Sequence, residues 1–140
     1  RAPTFAFTAF DGRQVALAEL SGQPGVLNFW ASWCAPCRAE MPALQKLYAA
    51  NREAGLVILA VNTTYQDSEA AAADFVAEYG LTFPVALDRT GAVSRTYLLR
   101  GLPTTLFVDR KGEVASVVIG GPMNEALIAS RIEALLATAP

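Results

Sequence analysis

Cys34 and Cys37 are the residues of this 140-residue chain best placed to do chemistry. They stand in Trp33-Cys34-Ala35-Pro36-Cys37, after a strand-forming run from Val26 to Trp30 and before a helical pattern from Arg38 to Arg52. Thiols at a helix start meet backbone N–H groups that have no partner inside the helix and carry a partial positive charge, which favours thiolate over thiol. Such settings lower a cysteine from its free pKa of ~8.5 to about 3.5–7.5. Cys34, at or just before the first turn, is expected to be the exposed nucleophile, and Cys37, one turn deeper, the shielded resolving thiol. The spacing lets the two close a disulfide, and Pro36 is tolerated because its missing N–H falls where no helical bond is needed. Structural zinc would want four ligands, whereas the chain has two cysteines and no histidine. A purely structural disulfide closing so short a loop would be a poor staple. The pair therefore reads as a redox couple that needs no metal and no further cofactor.

The elements that must position this pair belong to one globular domain spanning residues 1–140. With 53% hydrophobic and 17% charged residues the chain can bury a full core without a disulfide. A net charge of −2, with both signs scattered, suggests neither a nucleic-acid surface nor a basic membrane patch. No apolar run reaches the ~20 residues of a membrane span. The opening Arg1-Ala2-Pro3-Thr4 has no signal-peptide pattern, which fits either a cytosolic chain or one whose leader or anchor has been removed.

In chain order, Phe5, Phe7 and Ala9 alternate with smaller residues, Asp11-Gly12 turns, and Gln14 to Leu17 returns, which predicts an N-terminal β-hairpin. A loop, Ser21 to Gly25, leads into the buried strand Val26–Trp30. The helix after the cysteines carries Met41, Leu44, Leu47 and Tyr48 on one face, with a kink expected at Pro42. Leu56–Asn62 is a continuous apolar run, as in a central strand covered on both sides. Asp67 or Ser68 caps a second helix, with Ala71, Phe75, Val76 and Tyr79 inward and Gly80 at its end. Pro84–Asp88 reads as a short strand and Ala92–Tyr97 as a brief helix. Leu102–Asp109 and Glu113–Ile119 form a hairpin about Arg110-Lys111-Gly112, and Asn124 caps a last helix with Leu127, Ile128, Ile132, Leu135 and Leu136 inward. This order implies an α/β fold with a mixed central sheet and helices on both faces.

Over nearly its whole length the chain resembles thioredoxin-fold proteins, and more narrowly the TlpA/ResA-like extracytoplasmic thiol-disulfide oxidoreductases. The resemblance rests on Phe29-Trp30-Ala31-Ser32-Trp33-Cys34-Ala35-Pro36-Cys37, on Pro42, on Leu102-Pro103-Thr104-Thr105, on the N-terminal hairpin and on an inserted helical segment from about Thr64 to Gly80. It implies that Pro103 is a cis-proline facing the disulfide, which leaves the backbone of Leu102 free to pair with a substrate strand. Trp33, Ala35, Pro36, Leu102 and Pro103 would then form the surface a substrate meets. Trp33 would be a half-exposed platform with its indole N–H in water, and Trp30 a core residue. Where thioredoxin has a buried aspartate before the motif, this chain has Asn28, which cannot titrate. Glu40 matches the Cys-x-x-Cys-x-x-Glu pattern of the ResA-like group. It shares a helix face with Cys37, so a partly buried Glu40 could exchange a proton with that thiol; the alternative is a solvated helix glutamate.

The implied activity is reduction of protein disulfides outside the cytoplasm, including apocytochrome c before haem attachment, by a monomer that an upstream thiol donor recharges. Membrane contact would come only through an anchor outside this chain. Ala35-Pro36, with no histidine to stabilise the thiolate, sets the expected potential nearer ~−270 mV than ~−120 mV. Peroxiredoxins share the fold but place Pro and Thr upstream of the nucleophile as Pro-x-x-x-Thr-x-x-Cys, where this chain has Asn28 and Ala31 at the nearest positions, six and three residues before Cys34. A non-catalytic domain of a larger redox protein is the other alternative.

Overall fold

The computed structural model describes residues 6–8, 14–16 and 22–138. β1 (Ala6–Thr8) and β2 (Gln14–Ala16) pair antiparallel as the expected hairpin, with Phe7 opposite Val15. The expectations for Phe5, Ala9, the Asp11-Gly12 turn, Leu17 and Ser21 fall outside the described residues.

The remaining strands and α-helices are β3 (Gly25–Trp30), α1 (Ala35–Asn51), β4 (Val57–Asn62), α2 (Glu69–Tyr79), β5 (Val85–Leu87), α3 (Ala92–Thr96), β6 (Thr104–Val108), β7 (Val114–Ile119) and α4 (Glu125–Leu136), with short 3-10 turns at Arg52–Ala54 and Thr64–Gln66. Five of the strands form one sheet in the order β5-β4-β3-β6-β7. β3, β4 and β5 run parallel because helices carry each crossover, and β6 and β7 run antiparallel. The sheet is therefore mixed, as its element order requires.

β3 lies at the centre and alternates between two cores. Val26 and Trp30 face Met41 and Leu44 of α1, Phe75 of α2 and Ile128, Ile132 and Leu135 of α4. Leu27 and Phe29 face the opposite side, with Leu59, Val61 and Leu106, where Val93 and Tyr97 cover them. Trp30 stacks on Phe75 with ring centroids 4.3 Å apart, which fastens α2 over the end of β3. At the β6–β7 turn, Asp109 Oδ1 accepts from the N–H groups of Lys111 and Glu113, and Gly112 has a φ of 80°. That left-handed conformation suits glycine.

Several sequence expectations shift in detail. α1 runs unbroken through Pro42, which lies on its exposed side. Ser68, not Asp67, caps α2 by accepting from Ala71 N–H at 3.0 Å, and Ala72 is buried where Ala71 was expected. Asp67 is occupied elsewhere, as described below. Asn124 caps α4 through Leu127 N–H at 2.8 Å.

Candidate active site

α1 begins at Ala35, three residues earlier than its side-chain periodicity indicates, because Ala35 and Pro36 occupy the first turn where a missing N–H costs nothing. Cys34 thereby becomes the N-cap, and its Sγ accepts from Cys37 N–H at 3.3 Å. Its own N–H donates to Ala31 O at 3.2 Å, and its carbonyl accepts from Arg38 N–H at 3.1 Å. Cys34 and Cys37 are joined by a disulfide with Cα atoms 5.2 Å apart. The first turn holds no acidic residue, so the helix dipole acts on the sulfurs unopposed. Cys34 is not exposed as its expected role suggested: it retains 5% of its surface, because its sulfur is turned onto Cys37 and the first-turn N–H.

Beneath the pair, on the same helix, Glu40 is 1% exposed and therefore not a solvated helix glutamate. Its Oε2 accepts from Asn28 Nδ2 at 3.0 Å and its Oε1 from Met123 N–H at 3.2 Å. Asn28 Nδ2 also donates to Thr105 Oγ1 at 3.0 Å, since Asn28 and Thr105 are register partners on β3 and β6. Burial raises the Glu40 pKa above the ordinary carboxylate value, and the bonds from Met123 and Asn28 oppose it only in part. The Leu102–Pro103 peptide is cis, as is Gly121–Pro122. Gly121 closes over both features: a Cβ there would lie 2.7 Å from Glu40 Oε1 and 3.1 Å from Pro103 Cγ. Pro103 O in turn accepts from Gly120 N–H at 2.7 Å.

Beside the pair, the inserted segment is buckled to the loop before the cysteines. Ser32 N–H and Oγ donate to the two Asp67 oxygens at 2.7 and 2.6 Å, and Asn62 Nδ2 adds a bond at 3.0 Å. Burial alone would raise Asp67, but the bonds from Ser32, Asn62 and Ser68 together hold it below the usual carboxylate range. Trp33 is 59% exposed, but its indole N–H is not in water: it donates to Gln66 O at 2.9 Å. Arg38 donates to Ser32 O and pairs with Glu78, and its guanidinium lies 5.4 Å from the Phe75 and Tyr79 ring centres.

Cys34, Cys37 and Glu40 thus share the start of α1, and Gly121 brings Pro103 to the Glu40 end of it. Ala35 is exposed and Pro36 half-buried beside the disulfide. Leu102 is half-buried between the two cores, and among the described residues its peptide groups form no hydrogen bond. Sequence reasoning missed Thr105, Gly121 and Met123 N–H on one side and Ser32 and Asp67 on the other. Asn28 and Thr105 carried a signal as polar residues within strands, whereas the Ser32–Asp67 pairing, 35 residues apart, had none.

The profile of the AhpC/TSA family matches residues 1–117. Thiol-disulfide oxidoreductase ResA of Bacillus anthracis is 38% identical over 126 residues, 90% of this chain and 72% of that one. ResA of Halalkalibacterium halodurans is 38% identical over 133 residues, 95% of this chain and 74% of that one. A secreted Mycobacterium tuberculosis disulfide oxidoreductase homologous to E. coli DsbE superposes with a TM-score of 0.87 at 29% identity, covering 94% of this chain and 96% of that one. StoA of Bacillus subtilis superposes at 0.80 with 29% identity, covering 93% and 96%.

Proposed function

Since the chain belongs to the AhpC/TSA family and is a thiol-disulfide oxidoreductase of the ResA/DsbE type, we propose that it runs in the reducing direction on protein disulfides outside the cytoplasm. The observation that carries this is the Cys34–Cys37 disulfide at the start of α1 with Glu40 buried on the same helix. In the reduced protein, Cys34 Sγ attacks one sulfur of a partner's disulfide, forming a mixed disulfide and releasing the partner's other sulfur as thiolate. Cys37 gives its proton to the Glu40 carboxylate and attacks Cys34 Sγ. The second partner sulfur then leaves, and the Cys34–Cys37 disulfide is restored. Two electrons have passed to the partner, and an upstream dithiol donor must return two to the pair.

Trp33, Ala35, Pro36 and the unpaired Leu102 backbone beside cis-Pro103 supply the surface for an extended substrate segment, whose main chain Leu102 can bond as an added strand would. No cofactor enters this cycle. Leu27 and Ala31, seven and three residues before Cys34, stand where a peroxidatic Pro-x-x-x-Thr-x-x-Cys site would need Pro and Thr. Among the described residues no helix is long and apolar enough to cross a membrane, so attachment would rest on an anchor elsewhere. The relative named as secreted supports an extracytoplasmic site of action, and reduction of apocytochrome c before haem attachment is the specific task that the ResA resemblance favours. The experiment is to mix the pre-reduced monomer with an oxidised apocytochrome c peptide carrying a Cys-x-x-Cys-His disulfide and with an unrelated disulfide protein. Stoichiometric reduction with preference for the peptide supports the reading, and transfer of the protein's own disulfide to reduced peptide would reverse it.

A further inference from the structure

Among the described residues two buried side-chain polar atoms have no partner, Asn28 Oδ1 and Trp30 Nε1. The first belongs to the side chain that donates to Glu40. Asn28 uses its NH2 group twice, on Glu40 Oε2 and Thr105 Oγ1, and leaves its carbonyl idle in the core. Leaving a buried acceptor unpaired is costly, so the idle oxygen calls for a reason.

An amide carries a donor on one side and an acceptor on the other, and a half-turn of its terminal torsion exchanges them without moving the backbone. While Glu40 is ionised, the NH2 side is the correct partner. Once Oε2 carries a proton, two donors would oppose each other. The half-turn then sets Asn28 Oδ1 against the Glu40 O–H, and the Thr105 hydroxyl, which accepts from Nδ2 in the structure, rotates to donate. Met123 N–H keeps Oε1 in place in both states. An aspartate at position 28 would repel ionised Glu40, and an apolar residue would satisfy neither form.

We infer that Asn28 is a positioning residue that reverses its amide as the Glu40 proton comes and goes, and so holds the carboxyl at one place through both halves of the exchange with Cys37. This rests on the proposed role of Glu40. The groups that contact the carboxyl from β3 (Asn28) and the Gly120–Met123 segment (Met123 N–H) carry no charge, Pro103 lies across Gly121 from it, and Thr105 of β6 reaches it only through Asn28. On α1, Cys37 is the titratable neighbour on the same helix face. α4, packed against α1, sends Glu125 to Lys46 at the surface and gives Glu40 no hydrogen-bonded or charged partner among the described residues.

The test uses the oxidised protein, in which Cys37 cannot titrate, with labelled glutamate carboxyl and asparagine amide groups followed by NMR against pH. The Asn28 amide signals should move with the same midpoint as the Glu40 carboxyl, and the nuclear Overhauser contact between the Asn28 NH2 protons and Thr105, present above that midpoint, should vanish below it, which a fixed amide would not show. In Glu40→Gln they should stay, at every pH, where wild type has them at low pH. Asn28→Ala should raise the Glu40 midpoint, because the charge-assisted bond lost from the ionised form is stronger than the neutral bond lost from the acid, but by less than loss of a fixed donor would. Thr105→Val, which keeps Asn28, should shift it the same way by less and decides the matter if Asn28→Ala does not fold. Amide signals that ignore pH while Glu40 titrates, or an unmoved midpoint in the variants, would overturn the inference. These readings need no turnover, so absent disulfide reduction with the NMR pattern intact would count against the proposed function and not against Asn28.

Discussion

Glu40 and Asp67 are two carboxylates that flank the strand–helix junction carrying the cysteines, and their surroundings drive them apart. Glu40 lies in the floor, fully enclosed, with one donor for each oxygen. Asp67 lies at the flank, less buried, with donors from Ser32 N–H, Ser32 Oγ, Asn62 and Ser68. Burial wins at Glu40 and raises its pKa, while hydrogen bonds win at Asp67 and lower it. The ratio of donors to burial therefore decides which carboxylate lies above the ordinary range, as the proposed proton exchange needs, and which lies below it and clamps the loop as an anion.

The largest expected effect removes what both sides serve. Cys34→Ser should abolish disulfide exchange altogether, and Cys37→Ser should accumulate a stable mixed disulfide on Cys34, visible by non-reducing mass analysis with a disulfide partner.

Next, Glu40→Gln should slow resolution of the mixed disulfide by ~10²-fold, in the range of a lost acid–base group, and remove its pH dependence. Asp67→Asn should leave the shape of that pH profile intact. Stopped-flow decay of a labelled mixed disulfide across pH compares the two directly; identical profiles would erase the distinction drawn here.

Stability should separate them with opposite signs. The folded pKa of Glu40 is raised, so its contribution is present below its unfolded value of ~4.3 and is lost as pH rises through the folded value. That of Asp67 is lowered, so its contribution is present above ~3.9 and is lost as pH falls through the folded value. At about pH 8, Glu40→Gln should thus be neutral or stabilising, while Asp67→Asn should cost ~1–2 kcal/mol through weakened charge-assisted bonds. Near pH 3 the two differences should shrink. Urea midpoints at both pH values measure this.

The smallest effect concerns the outer buckle of the insert. Arg38 and Glu78 pair at 2.8 Å, but both are substantially exposed, so Glu78→Gln should cost no more than ~0.5 kcal/mol. A larger loss would show that this ion pair, and not Asp67, holds α2 against the loop.

The sequence was legible wherever a local rule governs. Apolar runs marked β3 and β4, Ser68 and Asn124 were available caps, and the two cysteines at a strand–helix junction announced their chemistry. Glu40 could be read from its spacing to Cys37, although only packing of the Gly121 loop and Met123 N–H shows that it is enclosed. A carboxylate just before a helix is usually its cap, but at Asp67 a stronger donor set on Ser32, distant in sequence, claims it instead. Trp33 was rightly placed at the surface, yet its bond to Gln66 required the fold of the insert. Contacts made by backbone groups across long separations leave no side-chain pattern to read.

The central claim, that Cys34 and Cys37 form a reducing couple, is tested most directly by equilibrium titration of the pair against defined thiol buffers, followed by the fluorescence of Trp33 and Trp30. The account predicts a reversible two-electron couple nearer ~−270 mV than ~−120 mV. A couple at the oxidising end would contradict it and make the protein a disulfide donor.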